Sequence, residues 1–66
     1  MGTNILAQNK YALTIKEAAG YFSIGENKLR QMINENKDAP YVLYNGGRTL
    51  IKRRALEDYL DVREYI

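Results

Sequence analysis

The sequence predicts a small α+β domain in which two helices are followed by a β-hairpin and a third helix. Three observations support this. A helix-capping pattern precedes an apolar stripe at residues 15–22, an Asn-Gly pair separates two β-prone runs within residues 41–51, and apolar residues recur at helical spacing after residue 53. A chain of 66 residues fills one core, so we expect one folded domain, residues 11–66, after a flexible N-terminal arm, residues 1–10.

The first helix is predicted over residues 15–22. Thr14 and Glu17 have the spacing of a capping box, in which the Thr hydroxyl accepts a hydrogen bond from the third helical amide and the Glu side chain reaches back. The apolar stripe of this helix consists of Ile15, Ala18, Ala19 and Phe22. Because the helix is short, packing must hold it.

A second helix is predicted to begin near Glu26, after a break at residues 23–25. Gly25 can adopt a tight-turn conformation or cap this helix, and Ser23 is the alternative cap. The inward side is Leu29, Met32 and Ile33, and the outward side is Asn27, Arg30, Gln31 and Asn34. Pro40 and the polar residues before it end the helix, since Pro disfavours helical backbone at the preceding residue.

A β-hairpin is predicted over residues 41–51. Residues 41–44 and 48–51 are β-prone, and Asn45-Gly46 between them is the strongest short hairpin signal. Gly47 beside the turn leaves the tip slim, with Arg48 at its base. A short strand at residues 11–13 is predicted to join the hairpin.

The third helix is predicted from Arg53 to about Arg63, with its acidic side chains in water. Its inward residues are Leu56, Tyr59, Leu60 and, at the end, Val62. Two helices joined by a short turn that contains Gly form a helix-turn-helix unit, and a hairpin after it is a wing. The predicted architecture is therefore a winged helix-turn-helix domain with a two- or three-stranded antiparallel ribbon.

Composition argues against an enzyme. The chain has no Cys and no His, which removes disulfides, zinc sites, thiol nucleophiles and the usual general base. Ser23 lies at a turn without a base, and no Gly-rich phosphate loop is present, so we expect no catalytic residue and no cofactor. The carboxylates at residues 57, 58 and 61 are explained by solvation, so no metal site is expected. No apolar run is long enough to span a bilayer.

The charge is divided unevenly along the chain. Residues 27–54 hold seven basic side chains against two acidic ones, a local charge of +5, whereas the last twelve residues hold four acidic side chains against one basic, a local charge of −3. A basic middle segment favours a polyanionic partner. The alternative is an ordinary solvated surface whose charges happen to be uneven.

The second helix of a helix-turn-helix presents its N-terminal residues to base edges in the major groove of DNA. The candidates here are Asn27, Lys28, Arg30 and Gln31. Asn and Gln pair with adenine and Arg pairs with guanine, so this face suits base recognition. Glu26 is better explained by its favourable position at the helix N-terminus.

The wing supplies a second set of candidates at Gly46, Gly47 and Arg48. A narrow minor groove attracts an inserted Arg, so Arg48 is expected there, the alternative being a surface ion pair. Lys16, Lys52, Arg53 and Arg54 are candidate phosphate contacts, or flanking charge, and only some are expected to touch DNA. The six Tyr residues are assigned to core and rim.

The chain resembles the excisionase family of conjugative transposons. The resemblance is carried by LTIKEAA at 13–19, YFSIGENKLR at 21–30, NGGR at 45–48 and IKR at 51–53, and it covers about residues 11–66. Gly47 departs from the pattern, in which a polar residue is usual, and this removes a wing contact without changing the docking.

The resemblance implies a winged-helix fold related to the MerR type and a role as a recombination directionality factor. Such a protein binds and bends double-stranded DNA at the ends of a mobile element and cuts nothing. Its implied partners are a tyrosine integrase and further copies of itself on adjacent DNA sites, with no membrane and no small-molecule ligand. The second helix around Lys28–Gln31 and the wing around Gly46–Arg48 would contact DNA.

Two other functions remain open at this stage. A winged-helix transcriptional regulator of a mobile element would carry the same DNA-binding face but bind at a promoter. A protein-binding adaptor would instead use the acidic third helix and C-terminus. For the DNA-binding functions, a bacterial cytoplasmic location associated with the nucleoid is expected.

Overall fold

A computed structural model of the protein describes residues 10–66, and the predicted α+β architecture is confirmed. The elements in chain order are β1 (Ala12–Thr14), α1 (Ile15–Phe22), α2 (Glu26–Glu35), β2 (Val42–Asn45), β3 (Arg48–Lys52) and α3 (Arg53–Asp61). They form a small domain of helices and one three-stranded antiparallel sheet, consistent with a winged helix. The predicted N-terminal arm, except for Lys10, lies outside the described residues.

Helix α1 begins at the predicted capping box. The Thr14 hydroxyl accepts a hydrogen bond from the Glu17 amide at 3.1 Å, and the Thr14 amide donates to the Glu17 carboxylate at 3.0 Å. Two amides at the helix start, which have no partner within a helix, are thus satisfied. Leu13 and Ala18, on either side of the cap, are both fully buried.

The turn between α1 and α2 uses its residues differently from the prediction. Ser23 takes the left-handed conformation, with φ of 58°, and its amide donates to the Ala19 carbonyl. Gly25 has φ of −61° and is the N-cap of α2 without a side-chain cap bond. Gly25 as a cap is confirmed, but its expected tight-turn conformation belongs to Ser23, which closes α1 and does not cap α2.

The sheet has the order β1-β3-β2, so β3 is central. Leu13 lies opposite Ile51, and Ile51 lies opposite Val42. These three buried residues share the face that packs against the helices. The predicted extra strand at residues 11–13 is confirmed with a shift of one residue.

The hairpin turn is placed one residue later than predicted. Asn45 belongs to β2 and pairs with Arg48, so the two turn residues are Gly46 and Gly47. Of the described glycines only Gly46 has a positive φ, at 63°. A positive φ at the first central position alone is the pattern of a type II′ turn, which twists the strands in their preferred direction.

The core lies between the sheet and the three helices. Its largest fully buried side chains are Leu13, Leu29, Tyr41, Ile51 and Leu56. Leu29, Met32 and Ile33 form the buried side of α2, as predicted. None of the helices described in residues 10–66 is both long enough and apolar enough to cross a membrane.

Helix α3 ends earlier than predicted, at Asp61. Val62, expected on the inward side, is 82% exposed because the helical backbone has already ended there. Tyr59 and Leu60 pack against the core, as predicted. The Tyr59 ring also contacts Tyr41 at 4.9 Å between centroids and carries the Arg63 guanidinium 4.1 Å above it.

Candidate nucleic-acid interface

The outward face of α2 presents a row of polar side chains to solvent. Asn27, Arg30 and Gln31 are exposed, and Lys28 is half-buried. The Arg30 guanidinium lies 3.4 Å from the Glu26 carboxylate, and the Gln31 amide donates to Glu35 at 3.1 Å. Exposed contacts between residues four apart contribute only a few tenths of a kcal/mol, so a ligand can displace them readily.

The wing tip is fully in solvent. Gly46, Gly47 and Arg48 are all exposed. Within residues 10–66 the Arg48 side chain makes no ion pair or hydrogen bond. The alternative prediction for Arg48, a surface ion pair, therefore finds no support among the described residues.

Arg53, predicted as a phosphate contact or flanking charge, is occupied within the fold. Its Nε donates to the Lys10 carbonyl at 3.0 Å, its Nη1 donates to Glu57 at 3.0 Å, and its amide donates to the Tyr11 carbonyl at 3.0 Å. The side chain is 19% exposed. These contacts join the start of α3 to the segment before β1.

Glu57 corrects the expectation that the acidic side chains of α3 face only water. Its carboxylate accepts a hydrogen bond from the Tyr21 hydroxyl at 2.7 Å and one from Arg53 at 3.0 Å. The Tyr21 hydroxyl, followed by the Arg53 guanidinium, lowers the pKa of Glu57 below its usual value. Because α1 supplies Tyr21 and α3 supplies the other two residues, the network fixes these helices relative to each other.

A second carboxylate anchors the start of β1. Lys10 forms an ion pair with Glu17, and the hydrogen bonds from the Lys10 side chain and the Thr14 amide lower the pKa of Glu17. Lys10 therefore contacts α1 through its side chain and Arg53 through its carbonyl.

The remaining predicted phosphate contacts lie at two other places. Lys16 is exposed in the first turn of α1, Lys52 is half-buried at the N-cap of α3, and Arg54 is exposed one residue into α3. Lys52 and Arg54 lie at the far end of β3 from the wing tip, since four strand residues span about 13 Å. The structure thus does not place all the predicted residues in one patch.

A cleft separates α2 from the wing. It has a volume of about 250 Å³ and is lined by Ile15, Arg30, Ile33, Asn34 and Thr49. The sequence assigned Asn34 to the outward face of α2 without a role, and it assigned none to Thr49. Only their positions in the sequence could have indicated that they line this cleft. Asn34 follows Arg30 by one helical turn, and Thr49 shares the face of β3 that carries Ile51.

The described residues hold no cluster of three or more His, Cys, Asp or Glu side chains arranged to bind a metal ion. Among the acidic residues of α3, Glu57 contacts Tyr21 and Arg53, whereas Asp58 and Asp61 are exposed.

The chain was compared with known protein families and sequences. The family model described as "Excisionase from transposon Tn916" matches residues 2–66. A protein of Streptococcus agalactiae serotype V, named "Excisionase from transposon Tn916", is 47% identical over 64 residues, covering 97% of this chain and 96% of that protein. Because the family model spans nearly the whole chain and this relative matches it end to end, the chain belongs to the family of Tn916 excisionases.

Proposed function

We propose that this protein is a DNA-binding excision factor without catalytic activity of its own. It binds and bends the ends of a mobile element and helps a tyrosine integrase to excise it. The observation that carries this proposal is the pairing of an exposed polar helix face with an exposed wing tip on adjacent elements, in a chain that belongs to an excisionase family. A helix and a ribbon so arranged fit neighbouring grooves of a DNA duplex.

In this proposal α2 enters the major groove and the wing follows the adjacent minor groove. Asn27, Lys28, Arg30 and Gln31 contact the major groove, where amide and guanidinium groups recognise purine edges. Gly46 and Gly47 keep the wing tip narrow enough for the minor groove, and Arg48 meets the negative potential there. The ion pair between Arg30 and Glu26 and the hydrogen bond from Gln31 to Glu35 are weak enough to exchange for contacts with DNA.

Phosphate contacts at the edges orient the domain on the duplex. Lys16, Lys52 and Arg54 are available for this purpose. Arg53 is the least available of the predicted contacts, because its guanidinium already bonds to Lys10 and Glu57. We assign residues 11–66 to the DNA-binding domain and residues 1–10 to an N-terminal arm.

Excision requires partners beyond the DNA. Several copies on neighbouring sites would bend the element end and place the integrase for excision, since the energy of bending is repaid by added protein contacts. The proposed setting is the bacterial cytoplasm, on the nucleoid.

The first experiment is fluorescence anisotropy at two salt concentrations with two duplexes. One duplex carries an end of the mobile element that encodes the protein, and the other is a shuffled sequence of equal length. We expect preference for the element end, with several retarded species in a companion gel. Weak binding without preference, abolished by salt, would contradict a sequence-specific excision factor.

Arg48→Ala and Arg63→Ala form a matched pair for the wing. Each removes one positive charge, but Arg63 lies past α3, on the Tyr59 ring. If Arg48 contacts DNA, only Arg48→Ala reduces the slope of log affinity against log salt, by about one unit. Equal slopes for the two variants would remove the wing from the proposed interface.

A further inference from the structure

The cleft between α2 and the wing has two kinds of wall. Its floor is apolar, formed by Ile15 and Ile33, which are 8% and 7% exposed. Its polar lining residues are Arg30, Asn34 and Thr49, which carry a guanidinium, an amide and a hydroxyl group. Three different elements, α1, α2 and β3, therefore contribute to one concave site.

The rim is rich in hydrogen-bond donors and lacks carboxylates. None of the five lining residues is acidic, although the chain has eight Asp and Glu residues. Within residues 10–66, the side chains of Asn34 and Thr49 have no hydrogen bond to another residue. One cation with two unengaged neutral donors is suited to a singly charged oxyanion.

The position of the cleft identifies that oxyanion. If α2 occupies the major groove and the wing occupies the adjacent minor groove, one sugar-phosphate backbone must pass between them, because a single strand separates two neighbouring grooves. The cleft is the concave surface at that point. This step rests on the proposed function, since it takes the placement of α2 and the wing from it.

We propose that the cleft binds one phosphodiester of the DNA backbone at the boundary between the two grooves. Asn34 and Thr49 donate hydrogen bonds to its oxygens, Arg30 supplies the charge, and the methyl groups of Ile15 and Ile33 contact the adjoining deoxyribose. Thr49 and Asn34 are thereby DNA-binding residues, and the major-groove role given to Arg30 above becomes a contact with the backbone at the edge of that groove, not with a purine edge. The site fixes the distance between helix and wing on the duplex.

The test uses neutral substitutions on the full chain. Thr49→Val keeps the shape of the side chain and its strand preference but removes the hydroxyl, Thr49→Ser keeps the hydroxyl, and Asn34→Ala removes the amide. Asn36→Ala, just past the end of α2 and outside the cleft, is the matched control. Affinity is measured by anisotropy for the element-end and shuffled duplexes, and a thermal melt of each variant verifies folding.

A hydrogen bond to a charged group predicts a loss of about tenfold for Thr49→Val and for Asn34→Ala. The affinity should fall by the same factor on both duplexes. Thr49→Ser should restore it, and Asn36→Ala should bind with wild-type affinity. Arg30→Ala should lower the salt slope by about one while keeping the ratio of the two affinities.

Backbone contact is then separated from base contact on the DNA. Replacing single phosphates by neutral methylphosphonates should reveal one position at which Thr49→Val causes no further loss, whereas the losses add at other positions.

Three results would overturn the inference. Wild-type affinity in folded Thr49→Val and Asn34→Ala would leave the cleft empty on DNA. Losses confined to the element-end duplex would mean that the cleft contacts a base. If the wild-type protein binds neither duplex, the proposed function and this inference both fail. If the wild-type protein binds DNA and the folded cleft variants bind equally well, only this inference fails.

Discussion

Adjacent glycines in the wing are expected to respond in opposite ways to alanine. Gly46 has φ of 63°, whereas Gly47 has no positive φ, and a Cβ at either position meets no atom within 4 Å. Conformation alone therefore distinguishes the two sites. Gly46→Ala should lower the free energy of unfolding by about 1–2 kcal/mol, the cost of a left-handed conformation for an L-residue. Gly47→Ala should raise it by about 0.4–1 kcal/mol, because alanine restricts the unfolded chain.

The two variants should thus differ by about 2 kcal/mol in stability. For a domain of this size 1 kcal/mol corresponds to about 4–8 °C, so their melting temperatures should lie about 8–16 °C apart. Thermal unfolding followed by circular dichroism measures this directly, and Asn45→Thr provides a test of the register. Asn45 has no positive φ and is in β2, so that variant should remain stable. A destabilised Asn45→Thr, or equal melting temperatures for the two alanine variants, would refute the assigned turn.

Three further variants test the helix ends and the charged networks. Ser23→Gly should stabilise the protein by about 0.5 kcal/mol in a urea titration, because relief of the left-handed conformation exceeds the added entropy of the unfolded chain; a loss of stability would contradict this. Folding lowers the pKa of Glu17 below its ordinary value of 4.5. Its contribution to stability is therefore present above pH 4.5 and is lost as the pH falls through the folded-state pKa. The melting temperature of Glu17→Gln should therefore be lower than that of the wild type at about pH 7 and equal to it at about pH 2. Equal melting temperatures at both pH values would count against the ion pair. Arg53→Met should lower the melting temperature while Arg54→Met leaves it unchanged, and the reverse order would show that the Arg53 contacts do not support the fold.

Local patterns predicted the elements that depend on nearby residues. The capping box at Thr14 and Glu17 involves a three-residue spacing, and its helix begins and ends where expected. The inward side of α2 also followed from spacing alone. In both cases the determining interactions lie within one or two helical turns.

The errors arose where two local solutions competed. Asn45-Gly46 and Gly46-Gly47 are both good hairpin turns, and the pairing of Val42 with Ile51 decides between them. With the earlier turn Val42 would lie opposite Thr49 and Pro40 opposite Ile51, so the pairing of the buried residues Val42 and Ile51 selects the later turn. Core burial also determines where α3 ends, because Val62 in its last predicted turn has no buried partner.

The contacts that modify the candidate site are long-range. The hydrogen bond from Arg53 to the Lys10 carbonyl joins residues 43 positions apart, and the one from Tyr21 to Glu57 joins residues 36 apart. No periodicity in the sequence indicates such pairs. The cleft behind Thr49 is equally hidden, because it exists only when α1, α2 and β3 have packed together.

The sheet is three strands wide at one end and two at the other. β1 pairs with residues 50–52 of β3, so Arg48 and Thr49 have only β2 beside them. The outer half of the hairpin can therefore open without breaking the β1–β3 pairing, and amide hydrogen exchange should quicken from Ile51 toward Arg48. Opening at the tip therefore leaves the three-stranded base of the sheet, where Leu13, Ile51 and Val42 pair, intact.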